Sequence, residues 1–172
     1  YAHRRRTRSG RLDGADGSIL ETVTIHQTTA PHPPDLLTAG TSNSFTPSQA
    51  HPSQVVTVSY TVENNSSGCI PGTACSELFG PADGAWVEAV LLSKDSYPDS
   101  NDIRLAYVIY FGALGPGESH AANVGLGIPA NCPFGEYRVI VYADYPTMGP
   151  PGYIEESDET NNWAVCPDIL AV

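Results

Sequence analysis

Between Gln54 and Glu63 the chain reads QVVTVSYTVE, with Val56, Val58, Tyr60 and Val62 alternating with Thr57, Ser59 and Thr61. A period of two is the mark of a strand with one buried face, whereas a helix repeats every 3.6 residues. Tyr137, Val139 and Val141 alternate with Arg138, Ile140 and Tyr142 in the same way. Other β-rich stretches are AWVEAVLLS (Ala85 to Ser93), IRLAYVIYF (Ile103 to Phe111), SHAANVGLG (Ser119 to Gly127), EYRVIVYAD (Glu136 to Asp144) and NWAVC (Asn162 to Cys166). A weaker one covers Asp35 to Thr41. Helical periodicity is nearly absent, and 16 Gly and 15 Pro among 172 residues supply the turns between strands. The pattern predicts an all-β fold: an immunoglobulin-like antiparallel β-sandwich of about seven strands over residues 35–172.

Residues 1–34 stand apart as an extended N-terminal arm. Tyr1 to Gly17 is polar, with RRRTR and DGADG. Ser18 to Gln27, SILETVTIHQ, reads as one extra strand with Ile19, Val23 and Ile25 on one side and Leu20, Thr22 and Thr24 on the other. APHPP follows, a Pro-rich linker that favours extended geometry and breaks pairing. The arm and the body share no repeat.

Charge divides along the same line. The chain carries 8 Lys+Arg against 19 Asp+Glu, a net −11. Before Asp35, Arg4, Arg5, Arg6, Arg8 and Arg11 stand against Asp13, Asp16 and Glu21, a net +2; from Asp35 on, Lys94, Arg104 and Arg138 face the remaining sixteen acids, a net −13. A body this acidic repels phosphate backbones, which argues against a nucleic-acid partner. No run approaches the ~20 apolar residues that a membrane span requires. The sequence starts at Tyr1 without Met, which is the form left when a leader is removed and equally the form of a trimmed or incomplete sequence.

Cys69, Cys75, Cys132 and Cys166 form no CxxC pair, and His3, His26, His32, His51 and His120 have no ligand spacing, so disulfides are the better reading than zinc. Cys69 and Cys75 enclose IPGTA, a turn that closes as a small staple. In an antiparallel hairpin partner numbers have a constant sum; joining Cys132 to Cys166 sets it at 298, with the midpoint at Gly149 inside YPTMGPPGY. Such bridges belong to an oxidising, extracellular compartment.

From Pro34 onward the chain resembles the CARDB family, the cell-adhesion-related domains of bacteria and archaea. The resemblance rests on PDL (Pro34 to Leu36), VTVSYTVENNSSG (Val56 to Gly68), LLSKD (Leu91 to Asp95), GPGES (Gly115 to Ser119), and YRVIVYAD followed by IEESDETNNW (Tyr137 to Asp144, Ile154 to Trp163). It extends over about residues 34–166 and implies an immunoglobulin-like sandwich with a loosely defined adhesion role. It also suggests that Glu155, Glu156, Asp158, Glu159, Asn161 and Asn162 form a structural lead-in to the last strand. The insert Cys69 to Gly84, the long segment Tyr145 to Tyr153 and the arm depart from the family pattern.

Asp95, Asp99, Asn101 and Asp102, in KDSYPDSND, place four oxygen side chains on one loop, a density that suits calcium, although the same residues favour solvated Asx turns. Asn64 and Asn65 head overlapping glycosylation sequons, NNS and NSS. Trp86, Trp163, Tyr107, Tyr110, Tyr142, Tyr145 and Tyr153 are either a sugar-stacking surface or core and cross-strand pairs. Catalysis finds no motif: GxSxG, HExxH and a phosphate-cradling loop are all missing, and neighbours Ser119 and His120 face opposite sides of a strand.

These features lead to a secreted, non-enzymatic structural or adhesion protein at the cell surface. Its partners are other copies of itself: Ile19, Val23 and Ile25 of the arm add a strand to a neighbour's sheet edge, Arg4, Arg5 and Arg6 meet its acidic body, and repetition builds a filament. The alternative is an accessory or glycan-binding module of a larger secreted adhesin or hydrolase.

Overall fold

The computed structural model describes residues 4–13, 19–29, 32–66, 80–147 and 152–172. The chain divides into two compact units, Tyr1–His32 and Pro33–Val172.

The first unit is a ribbon of two antiparallel strands, β1 (Arg4–Asp13) and β2 (Ile19–Thr29). The expected arm strand therefore exists but is already paired. Ile25 lies opposite Arg8, Val23 opposite Gly10 and Ile19 opposite Asp13, while Arg4, Arg5 and Arg6 lie opposite Thr29, Thr28 and Gln27. The polar segment Arg4–Asp13, which has no strand pattern of its own, is a strand because its backbone groups pair with the β-branched Ile19–Thr29.

The second unit is an all-β immunoglobulin-like sandwich of eight strands in two sheets. One sheet holds β3 (Leu36–Thr38) and β4 (Ser44–Thr46) on one side of β5 (Val55–Asn64) and β8 (Ser119–Gly127) on its other side. The other runs β10–β9–β6–β7, built from β6 (Ala82–Ser93), β7 (Ile103–Leu114), β9 (Glu136–Tyr142) and β10 (Trp163–Ala171). The strand missing from the sequence reading is β4, which is only three residues long and comes from the hydroxyl-rich TSNSFTPSQ. Among the described residues there is no helix long and apolar enough to cross a membrane.

The alternation read from the sequence becomes the core. Val56, Val58, Tyr60 and Val62 of β5 meet Trp86, Val90 and Leu92 of β6 and Tyr137, Val139 and Val141 of β9, all buried. Each such aliphatic side chain contributes roughly 1.5–3 kcal/mol on burial. The outer face of the second sheet is not simply wet: Ala89, Leu91 and Ile140 are buried there beneath Tyr142, Tyr145, Trp163 and Val165. At the GPGES turn Gly117 takes a φ of +76°, open to glycine, and donates its N–H to the Asn64 carbonyl at 2.8 Å.

The β9–β10 ladder overturns the register drawn from the cysteines. Trp163 pairs with Tyr142, a sum of 305, and after an irregularity Ile169 pairs with Arg138, a sum of 307, instead of 298. Cys132 precedes β9 in a turn where its N–H donates to the Pro129 carbonyl, whereas Cys166 lies within β10. Both are buried free thiols, with no disulfide between them. The constant sum holds only for a symmetric hairpin, and here Tyr153 and Ile154 bond back to Asp144 while Glu156 bonds Leu36 of β3. Cys69 and Cys75 lie outside the described residues.

Candidate functional site

The four oxygen ligands expected for calcium do gather in one place. Asp95, Asp99, Asn101 and Asp102 line a cleft of about 650 Å³ between the β6–β7 connection and the turn before β9, with Leu92, Ile103 and Tyr137 in its wall. Their carboxylates, however, are engaged by the loop itself. Asp95 accepts from the Tyr97 N–H at 2.8 Å, Asp99 from the Asn101 N–H at 2.6 Å, and Asp102 from the Asp99 N–H at 2.9 Å. These are the Asx turns that Asp and Asn form with backbone two or three residues away. Among the described residues no group of three or more His, Cys, Asp or Glu is placed to hold a metal ion. The lone cation of the cleft, Lys94, sits 3.3 Å from the Tyr137 ring centre and donates to the Glu136 carbonyl.

A polar cluster that the sequence did not reveal lies between the sheets. Glu88 follows Trp86 on the inward face of β6 and is fully buried. Its carboxylate accepts the Tyr60 hydroxyl at 2.6 Å and the Trp86 indole N–H at 3.2 Å, and His120 Nε2 lies 2.5 Å away. Tyr110 stacks on His120 with centroids 4.1 Å apart and on Trp86 at 4.3 Å. An unpaired carboxylate at this depth would cost several kcal/mol, and three converging donors offset that. Burial first, then the neighbouring Glu88 charge, raises the Tyr60 hydroxyl far above its ordinary range, so it stays a donor. The available signal was one acid on the apolar face Trp86, Glu88, Val90, Leu92. Ser119 points outward and His120 inward, as alternation requires, and Glu88 has no surface for a substrate to reach.

The segment Ile154 to Trp163 acts as a clamp on the first strand of the body. Glu156 accepts the Leu36 backbone N–H and the Asn162 side-chain amide, Asn161 donates to Asp35, and Ser157 donates its N–H to the Pro34 carbonyl. Asp144, held at a φ of +45°, accepts the N–H groups of Tyr153 and Ile154. Burial pushes the Glu156 carboxyl up to about 8, and the Asp144 and Glu159 charges act in the same direction. Glu155 is exposed and Asp158 caps Thr160. This is the structural lead-in to the last strand that the resemblance suggested.

The two sequons differ in kind. Asn64 is fully buried, donating to the Gly80 and Leu114 carbonyls and accepting from Ser66, so it is corrected from a glycosylation candidate to a structural residue. Asn65 is exposed.

The seven aromatic candidates also separate. Trp86 and Tyr110 belong to the interior. On the outer face of the second sheet Trp163, Tyr142, Ala89 and Tyr107 lie side by side across β10, β9, β6 and β7. Tyr145 packs against both tyrosines, with centroids 5.2 Å from Tyr142 and 5.5 Å from Tyr107. The interplanar angles of 84° and 40° show rings packed edge-on or tilted against one another, the cross-strand arrangement and not a flat platform.

The class the geometry defines is an immunoglobulin-like β-sandwich. No family model matches the chain, and no curated protein matches it. Among solved structures it is similar to the 272–376 domain of a protein described as a cell surface protein from Methanosarcina acetivorans, at 19% identity and TM-score 0.46, covering 81% of this chain and 91% of that one. It is also similar to the CARDB domain of a Pyrococcus furiosus protein, solved in complex with di-metal ions, at 16% identity and TM-score 0.45, covering 84% and 93%. A solution NMR structure of that domain matches at 17% identity and TM-score 0.44, covering 82% and 96%.

Proposed function

We propose that the protein is a secreted, non-catalytic structural or adhesion module whose N-terminal ribbon joins one copy to the next, building an extracellular filament. The observation that carries this reading is the ribbon itself. It is a compact unit of its own with two strands, β1 and β2, that pair only with each other among the described residues. An isolated two-stranded ribbon is marginally stable in water, and a third strand with an apolar face relieves that. Adding an edge strand of a second copy satisfies the backbone groups left over, and a head-to-tail contact of this kind does not close on itself. Five arginines in the first eleven residues against a body of net −13 add attraction. The non-catalytic part of the reading is supported by the inaccessibility of Glu88 and by the backbone engagement of Asp95, Asp99 and Asp102.

Negative-stain microscopy and sedimentation velocity of the full chain, against a chain beginning at Pro34, test it. Fibres or oligomers from the full chain and monomers from the shortened one are expected; equal assembly by both would sink the reading. A glycan-binding role draws support from the exposed rings of Tyr97 and Tyr107, and binding to a sugar array that is lost in Tyr107→Ala would establish it instead.

A further inference from the structure

The edges of the two body sheets are guarded very unequally. An edge strand exposes unpaired N–H and C=O groups, and proteins ordinarily blunt it by shortness, Pro, charge or irregularity. β3 and β4 are three residues each. β10 carries Pro167 and Asp168 within its register irregularity, and its end is bridged by Gln49. β8 is an edge whose outward residues are Ser119, Ala121, Asn123, Gly125 and Gly127, small or polar throughout. β7 is the least protected: its one irregularity lies near its start, where Leu105 is passed over between Ala106 and Arg104. It is twelve residues long, pairs only with β6 among the described residues, and contains no Pro.

Its side chains make the contrast sharper. Tyr107, Ile109 and Phe111 lie opposite Ala89, Val87 and Ala85, on the outer face, and are 40%, 56% and 76% exposed. The one charge of the strand, Arg104, is turned onto Tyr107, donating to its hydroxyl at 2.8 Å with the guanidinium 4.2 Å from the ring centre. A long edge that is apolar and uncharged beyond Arg104 is costly to leave in water and is what an added strand needs: backbone groups for the ladder and alternate apolar side chains for cross-strand pairs.

We propose that the free edge of β7 receives β2 of a second copy, an inference that rests on the arm-mediated association above and names the surface that completes it. The lengths agree, eleven residues in β2 and twelve in β7. The chemistry agrees as well: Val23 and Ile25 stand two positions apart in the regular part of β2, the same spacing as Ile109 and Phe111 of β7. Docking extends the second sheet of the acceptor by the two strands of the donor ribbon.

Two full-length variants test it in combination. Val23→Asp with Ile25→Asp removes the donor and leaves the acceptor; Ile109→Lys with Phe111→Lys removes the acceptor and leaves the donor. Each alone should sediment as a monomer with the melting temperature of the unaltered chain. Mixed in equal amounts they should form a dimer and nothing larger, because one working donor and one working acceptor remain. Asn123→Lys, on the β8 edge, should assemble normally. Should the lysine pair fail to fold, Ile109→Thr with Phe111→Thr replaces it, since Thr keeps β-propensity. Assembly by the β7 variant, loss of assembly by Asn123→Lys, or a mixture of folded variants that stays monomeric overturns the β7 assignment. If the arm variant assembles unchanged, the arm reading itself fails.

Discussion

The Glu88 carboxylate and the His120 imidazole meet at 2.5 Å inside the sandwich, one from the centre of β6 and the other from the edge strand β8 of the opposite sheet. Together with Tyr60 from β5 they tie the two sheets across an otherwise apolar core. Removing the acceptor leaves three donors stranded. Glu88→Ala is expected to cost about 3–5 kcal/mol in urea unfolding, the usual penalty for breaking a buried pair from one side. Tyr60→Phe, which removes only one donor, is expected to cost about 1–3 kcal/mol. A Glu88→Ala protein as stable as the unaltered chain would show that the network contributes nothing.

Stability should fall as pH rises across the range set by Glu156. Its carboxyl is raised from 4.5 to about 8 by burial, so the folded state binds the proton more tightly than the unfolded state does. The stabilisation is therefore complete below the unfolded value and is lost as pH climbs through the folded one. Asp144, also raised by burial, contributes with the same sign. Melting curves between pH 4.5 and 9 should shift to lower temperature, and Glu156→Gln, which keeps an acceptor for the Leu36 N–H, should flatten that trend. An unchanged slope in the variant would place the effect elsewhere.

Cys166 should resist thiol reagents until the chain unfolds. Burial pushes its thiol up to about 12, and the thiolate is the reactive form. Peptide mapping after alkylation in buffer should find Cys166 unlabelled, and after alkylation in denaturant without reductant should find it labelled. Recovery of a Cys132–Cys166 disulfide peptide would contradict the free thiols of the structure.

Chelation should leave the melting temperature unchanged, because the oxygens of Asp95, Asp99 and Asp102 are held by their own loop. Asp99→Ala should cost about 1 kcal/mol through the lost bonds to Asn101. A melting temperature that drops with chelator, and a variant that no longer responds, would establish a calcium site in the cleft.

Much of this was legible in the amino acids because a strand with one buried face writes its period into the chain. β5, β8 and β9 emerge from QVVTVSYTVE, SHAANVGLG and EYRVIVYAD nearly at their observed bounds. The acids of the Asp95 to Asp102 loop were legible too, because their interactions are with backbone two or three residues away, whereas the Ile154 to Trp163 segment was legible only through the resemblance, since Glu156, Ser157 and Asn161 bond Leu36, Pro34 and Asp35 more than a hundred residues earlier.

What escaped depended on partners far along the chain. β1 reads as a charged tail and becomes a strand only opposite β2, and β4 is too short to carry a period. Glu88 looks like one more surface acid until Tyr60 and His120, 28 and 32 residues away, converge on it. The β9–β10 register was misread because cysteine spacing says nothing of how a connecting segment packs. Local periodicity decides which segments can be strands; which strands are neighbours, and which polar groups meet between them, is decided by burial and hydrogen-bond satisfaction summed over the whole sandwich.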